Sequence, residues 1–452
     1  VTSLLTGRRA LPYTAAAVAV AVVLVLTQTD SHDVPMGTVL YGVLYGSLNG
    51  LLAVGLVLLY RVTRSLNFAY GAMGGLPAGV AASLYLSHHT PWGVCVALSL
   101  ALGLLVGLGT GALVNWRFST SPRLVLTVAT IGLLQLLGGL AVYVPRWFHG
   151  PALIAPFATG LTSWHTQINP VLFNGNDLVV VIVVPAVVVA VSWFLLRTDA
   201  GRAVRAIADN PDRARLAGVP AGRLMLLVWS VAGGVAALAV TLQAPSAGVP
   251  LNVAAGPAIL LAPLAAAIIA GMRSMPGAFL AGIGLGVVEA VVRLDISKQS
   301  VEEPIFLGVI LLALVLQHRS ESRADAADDA SWTAIGATRP LPAALRRLPV
   351  VRASKMSMLA VVVLVAVLLP AVLSDGRLYQ VTSGLIFGMA ALSLVVLTGW
   401  SGTVSLGQMA IVGIGAIVAG DLIAHLDLDL FQALVVAGAA GGVASLLLGL
   451  PA

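Results

Sequence analysis

The sequence predicts an all-α protein that crosses a membrane many times, and three observations carry that prediction. Only 9% of its 452 residues are charged, against about 25% in a soluble domain. Apolar windows long enough to cross ~30 Å of hydrocarbon recur about fourteen times. The arginines and lysines between those windows fall in alternate loops. A mean hydropathy of +1.01 points the same way. So do the 48 glycines and 23 prolines, both frequent in transmembrane helices.

In chain order the windows lie at 11–27, 37–60, 66–86, 91–114, 122–143, 177–196, 223–243, 253–271, 276–293, 303–318, 356–374, 379–398, 404–424 and 428–450. The first follows Arg8 and Arg9 like a signal peptide, but no small-residue cleavage site comes after it, so a retained helix is expected. With the N-terminus cytoplasmic, the inside segments hold 13 arginines from Arg8 to Arg273 and seven basic residues from Arg319 to Lys355. That makes 20 inside against four outside, Arg146, Arg293, Lys298 and Arg377. A bias of this size predicts the N-in orientation.

Four regions follow: an extra helix and outer loop over 1–35, a first membrane unit over 36–318, a flexible linker over 319–355, and a second unit from 356 to 452. The linker mixes proline, alanine and both charges with no apolar stripe. An outer segment at 144–176, with Trp147, His149, Trp164 and His165, is expected to form a partly folded cap. The two units begin alike. A shift of 338 residues aligns 40–84 with 378–422, with 15 identities in 45 positions. An even number of spans separates them, which predicts parallel repeats with a pathway between the halves. The second unit has only four windows, so further sequence beyond Ala452 is expected.

Several classes of chemistry find no support. The net charge of +6 forms no basic face interleaved with aromatics, which excludes nucleic acid as a partner. The single Cys95 lies in an apolar run and reads as a small buried hydrophobe. The seven histidines form no HExxH, and the two lysines stand in no phosphate-binding loop. No catalytic group, metal site or bound cofactor is expected.

Three sets of residues remain. Gly46 and Gly50 in one helix, and Gly71, Gly75 and Gly79 in the next, each recur every four residues and admit a close neighbour or line a narrow pore. Gly384, Gly388 and Gly413 are their counterparts in the second unit. Asn67 and Ser405 stand at equivalent span starts, with Tyr70 and Gln408 one turn on; they cap helices or meet a polar solute. Gln135 lies mid-span, for an interhelical hydrogen bond or the same pathway. Glu289, an intramembrane carboxylate, precedes Arg293 by four residues, as a helix-end ion pair or a solute contact.

The block TDAGRAVRAIADNPDRARLAGVP at 198–220 is the densest charge in the first unit. Residues 199–209 read as a helix with Arg202, Arg205 and Asp209 exposed. Asn210-Pro211-Asp212 restarts the chain, with Asp212 or the residues before it as a cap. Gly218 suits a positive φ. Such a helix lies on anionic lipid or docks into a partner's groove.

These motifs resemble the permease of ATP-driven importers of the branched-chain amino acid type, as a fusion of the first permease subunit with the start of the second. The resemblance rests on SLNFAYGAMGGLPAG (65–79), STSPRLVLTVATIGL (119–133), the 201–239 stretch, GMRSMPGAFLAGIGLGVVEA (271–290) and TGWSGTVSLGQMAIVGIGAIVAG (398–420). It implies that 201–220 is the coupling helix that fits a cytoplasmic ATPase, which would bind ATP and magnesium. It also implies an external solute-binding protein as partner. The helix at 11–27 departs from that pattern, and the second unit shows no coupling loop of its own in these residues. The alternative function is an ion-coupled secondary transporter.

Overall fold

The computed structural model describes residues 34–118, 123–151, 154–249, 251, 255–295, 308, 349–400, 408–426 and 428–449. The window at 11–27, most of 303–318, Ser405 and most of the linker lie outside them. Contacts divide the chain into two compact units, Val1–Ser322 and Arg323–Ala452.

In the first unit α1 (Met36–Thr63) is followed by α2 (Tyr70–His88), α3 (Trp92–Phe118) and α4 (Arg123–Trp147). A hairpin of β1 (His165–Ile168) and β2 (Val171–Asn174) leads into α5 (Gly175–Arg197). Then come the short α6 (Asp199–Asp209) and α7 (Pro211–Leu216), α8 (Ala221–Ala247), α9 (Ala255–Ile269) and α10 (Met275–Asp295). Among the described residues, eight helices are long and apolar enough to cross a membrane.

α1 is the central helix. Its most apolar window is 78% buried, whereas the α5 window is only 22% buried and so turns most of its Val and Leu outward. Lipid gives apolar helices no hydrophobic reason to associate, so close van der Waals packing at small residues must hold the bundle. α1 and α10 meet in this way. A β-carbon added at Gly46 would sit 2.7 Å from the Ile283 carbonyl oxygen, and one at Gly50 2.6 Å from that of Phe279. Gly42 abuts Val287, and on the facing side Gly282 and Gly286 lie against Gly50 and Gly46. α3 and α8 repeat the device with Gly103, Gly107 and Gly233, and add a buried Ser99–Thr241 hydrogen bond of 2.6 Å.

In α2 the tight positions are Gly74, against Ala236, and Gly79, against Leu251. The expected Gly75 has only Ile259 at 3.7 Å, ordinary contact, and Gly71 is simply buried. The four-residue spacing found the right helix but not each right residue. α2 also begins at Tyr70 rather than 66, because 64–69 form a turn at the foot of α1.

The cap at 144–176 is smaller than expected, since α4 runs on to Trp147 and α5 starts at Gly175. What remains is a 3-10 turn at Gly160–Ser163 and the hairpin, tied to the bundle by rings of Tyr85, Trp92 and Phe157 with centroids 5.4–5.5 Å apart. The hairpin turn rests on Gly37, where no β-carbon fits. A capping box at Asn174 and Asp177 starts α5.

The second unit contains α11 (Pro349–Val372), α12 (Asp375–Trp400), α13 (Gln408–Leu426) and α14 (Leu430–Gly449). Residues 349–355, expected in the flexible linker, are the first turns of α11. The 338-residue shift carries Tyr70–His88 onto Gln408–Leu426 at both ends. Gly384, Gly388 and Gly413 are not in a packed contact: nothing described lies within 4 Å of a β-carbon at any of them.

The glycine contacts make a measurable prediction. Gly46→Leu and Gly286→Leu will each lower the melting temperature of the detergent-purified protein, by overpacking worth about 1–3 kcal/mol or more. Gly284→Leu, on the same helix as Gly286 but facing open space, will leave it within error of the parent.

Candidate functional site

The residues of α1 that matter come as three pairs, Tyr41-Gly42, Tyr45-Gly46 and Asn49-Gly50, one every four residues. In a helix this spacing puts the glycines in one stripe and their predecessors in the adjacent one. The glycine stripe packs on α10. The neighbouring stripe of Tyr41, Tyr45 and Asn49 is left facing a pocket of about 70 Å³, closed from the other sides by Gln243 of α8 and Glu289 and Arg293 of α10.

Glu289 and Arg293 form the pocket's charged wall. The guanidinium donates to Glu289 Oε1 at 2.9 Å across one helical turn, with 22% of the glutamate side chain and 46% of the arginine exposed. The rings of Tyr41 and Tyr45 lie against each other with centroids 4.3 Å apart. Three helices thus bring five polar side chains and a sixth, the Asn49 amide, to one recess near the ends Met36, Ala247 and Asp295. Glu289 was singled out from the sequence. Tyr41, Tyr45, Asn49 and Gln243 were not, although the Tyr-Gly, Tyr-Gly, Asn-Gly recurrence carried the signal.

The other predicted pathway residues lie elsewhere. Asn67 is buried beyond the opposite end of α1, where Oδ1 accepts from the Ala69 N–H at 2.9 Å and so holds the turn that enters α2. Tyr70 is fully buried, and its hydroxyl has no hydrogen-bond partner among the described residues. It fills the space over Gly55, where an added β-carbon would run into it. The same shift of 338 that maps Tyr70 to Gln408 maps Gly55 to Ser393, and there Gln408 Nε2 donates to Ser393 Oγ at 2.7 Å. One contact is kept in both units by different chemistry. Gln135 is exposed on the outer face of α4, because it falls between the buried Leu133, Leu134 and Leu137 that carry the packing. It reaches neither the pocket nor the α1–α10 seam.

The end of the first unit that carries Thr63, Ala221 and Met275 holds the charged helix. α6 spans Asp199–Asp209 as expected, and Thr198 caps it by accepting from the Gly201 N–H at 3.0 Å. Its apolar face of Gly201, Val204, Ile207 and Ala208 is buried. Arg64, in a left-handed conformation at the last turn of α1, donates to the Ala208 carbonyl. Arg202, ion-paired with Asp199, and Asp209 face outward. Arg205 does not: it is half-buried, with Nε shielded from solvent, because its position borders the apolar face. Asn210, not Asp212, caps α7 by accepting from the Arg213 N–H at 3.0 Å, and Asp212 sits in the first turn. Gly218 has φ +81°.

Residues 38–315 match the family described as branched-chain amino acid transport system, permease component. The chain is 26% identical over 299 residues to the high-affinity branched-chain amino acid transport system permease protein LivH of Salmonella typhimurium, covering 61% of this chain and 91% of that protein. It is 24% identical to BraD of Pseudomonas aeruginosa, a permease protein of the same description, over 61% of this chain and 92% of that one. The autoinducer 2 import system permease protein LsrC of Shigella flexneri is 30% identical over 50% of this chain and 61% of its own length. No solved structure matches the chain.

The contact shared by the two units is testable by exchange. Gly55→Ser alone will destabilise the protein, and Tyr70→Gln alone will leave a void. Together they rebuild the Gln–Ser pair seen in the second unit. A double-mutant cycle read by thermal melting is expected to show a favourable coupling of about 1–3 kcal/mol.

Proposed function

The chain belongs to the family of branched-chain amino acid transport permeases, a polytopic helical membrane protein and a transport component, and from that premise we propose how it works. It is the membrane-spanning permease of an ATP-driven importer for small solutes, branched-chain amino acids first among them. Cytoplasmic ATPases bind ATP and magnesium, an external solute-binding protein delivers the cargo, and the present chain supplies the path. The observation that supports this most is the match over 38–315, the stretch that contains both the polar pocket and the amphipathic α6.

In this reading the N-terminus is cytoplasmic, the pocket opens outward and α6 faces the cytoplasm, an orientation that the arginine bias supports. α6 is the coupling helix: its apolar face is fixed to the bundle while Arg202, Asp209 and the capped turn through Asp212 to Gly218 form the surface offered to an ATPase. A helix docked in a groove transmits force that a loose loop would dissipate. Arg64 fastens the far end of α6 to α1, and α1 carries Tyr41, Tyr45 and Asn49 into the pocket. Movement of α6 as the ATPases close would therefore reach the pocket through a single helix. LsrC, a permease of an autoinducer 2 import system, is also similar to this chain, so the solute has to be tested.

The test is ATP hydrolysis in lipid nanodiscs by the complex that co-purifies with the full chain, with binding proteins loaded with leucine, isoleucine, valine or urea. Stimulation by a loaded protein is the expected result and names the solute class. If no ATPase co-purifies and uptake follows an ion gradient, the protein is a secondary transporter. Exchanging charges at the exposed positions, Arg202→Glu with Asp209→Lys, will lower ATPase association and transport without changing membrane insertion. Gly218→Val, which forces a branched side chain into positive φ at a cost of about 1–2 kcal/mol, will do the same.

A further inference from the structure

We propose that the pocket between α1, α8 and α10 reads the charged head of an α-amino acid, with Arg293 taking the carboxylate and Glu289 the ammonium. This rests on the importer reading for the direction of passage. The head of an amino acid carries one charge of each sign a few bonds apart. The pocket offers one of each, with the guanidinium nitrogen 2.9 Å from the carboxylate oxygen. Arginine presents a planar fork that matches a carboxylate, and a carboxylate accepts from an ammonium at short range. Entry of a zwitterion would replace one ion pair by two, with no net charge brought into the site.

A helix-end pair with no further role extends its charges to water and needs no polar company. Here polar groups of other helices converge on the pair: Tyr41, Tyr45 and Asn49 from α1 and Gln243 from α8. The four belong to segments about two hundred residues apart, and three of them share one stripe of α1. Their hydroxyl and amide groups can donate and accept, which suits a head with both kinds of hydrogen-bonding atom. Charge is costly to keep within a membrane span, and where it occurs it marks solute and ion paths.

Size narrows the class further. A recess of about 70 Å³ holds roughly five water-sized volumes. That accepts the head and leaves the apolar side chain outside it. The site would therefore demand a free carboxylate and a free ammonium while tolerating differences between aliphatic side chains. Choice among those side chains would fall to other contacts.

The test is equilibrium binding of radiolabelled leucine to the full chain, with whatever ATPase accompanies it, in lipid nanodiscs. Isoleucine and valine are expected to compete within about threefold of leucine, because their methyl groups meet no enclosing wall. Leucinamide, which lacks the carboxylate, and N-acetylleucine, which lacks the ammonium, are expected to be at least about tenfold weaker. Glu289→Gln and Arg293→Gln will weaken leucine binding by a similar factor. The exchanged pair, Glu289→Arg with Arg293→Glu, keeps the salt link and should melt with the parent, yet lose leucine binding because the charges are reversed against α1.

Leucine binding and uptake at parental levels by the exchanged pair would overturn the proposal and leave the ion pair a structural one. Competition by leucinamide and N-acetylleucine equal to that of leucine would overturn it without any variant. So would a wild-type protein that drives ATP-dependent uptake but shows no saturable leucine binding, and the importer reading would then stand alone. Head-specific binding without ATP-dependent uptake would do the reverse, keeping the site and removing the importer.

Discussion

The seam between α1 and α10 is the constraint on which the rest of the first unit depends. Lipid tails solvate leucine as well as a neighbouring helix does, so two apolar helices stay together only where their backbones come close enough for many weak contacts. Gly42, Gly46 and Gly50 on one side and Gly282 and Gly286 on the other provide that approach. The same seam sets the pocket. Each polar residue of α1 that faces it immediately precedes a seam glycine, so rotation of α1 that relieved the packing would also turn Tyr41, Tyr45 and Asn49 away from Glu289. Packing and site geometry are one interaction seen from adjacent faces of a helix.

The 338-residue shift matches some parts of this arrangement in the second unit and not others. The helix ends of α2 and α13 correspond residue for residue. The contact at their start persists as Tyr70 over Gly55 and as Gln408 on Ser393. The glycines at 384 and 388 persist as well. The polar stripe does not: Tyr41 keeps its counterpart in Tyr379, but Ser383 and Phe387 stand where Tyr45 and Asn49 would be. A serine and a phenylalanine cannot supply the phenolic hydroxyl and the amide that Tyr45 and Asn49 bring to the pocket, so the polar stripe of α1 is not repeated in α12.

Legibility in the sequence followed how local each signal is. The ends of α6 could be read because capping residues, an apolar stripe and a charged stripe all fall within eleven residues. Gly218 could be read because a positive φ restricts the residue type whatever lies around it. Arg205 was misplaced because a residue on the border of an amphipathic face goes whichever way the neighbouring helix allows, and that helix is remote in sequence. The pocket is the extreme case. Its six polar residues span α1, α8 and α10, and no single helix holds more than three of them. Only the Tyr-Gly, Tyr-Gly, Asn-Gly recurrence betrays one wall, and beside so many glycines it reads as packing alone. Gln135 misleads for the opposite reason. A mid-span amide invites a buried partner, yet the leucines around it had already claimed the inward face of α4.

A path that joins the pocket to α6 must resist bending, and α1 has the composition for it. α2, α4, α5, α8 and α9 each contain an interior proline, at Pro77, Pro145, Pro185, Pro245 and Pro263. Proline removes a backbone hydrogen bond and is the commonest cause of a kink. α1 has none in its 28 residues, a length of about 42 Å at 1.5 Å per residue. Its burial on nearly all sides leaves little room to curve. At one end it bears the pocket stripe; at the other, Arg64 leaves the helix in a left-handed turn and its guanidinium donates to the Ala208 carbonyl in the last turn of α6. Carbonyls of a last turn carry the negative end of the helix dipole and lack partners within the helix. A cation there stabilises α6 and ties it to the strut in the same contact. On the proposed coupling role of α6, its displacement would thus be delivered to the pocket as a shift of α1 along its seam, and the proline-containing helices around it would bend more readily than α1.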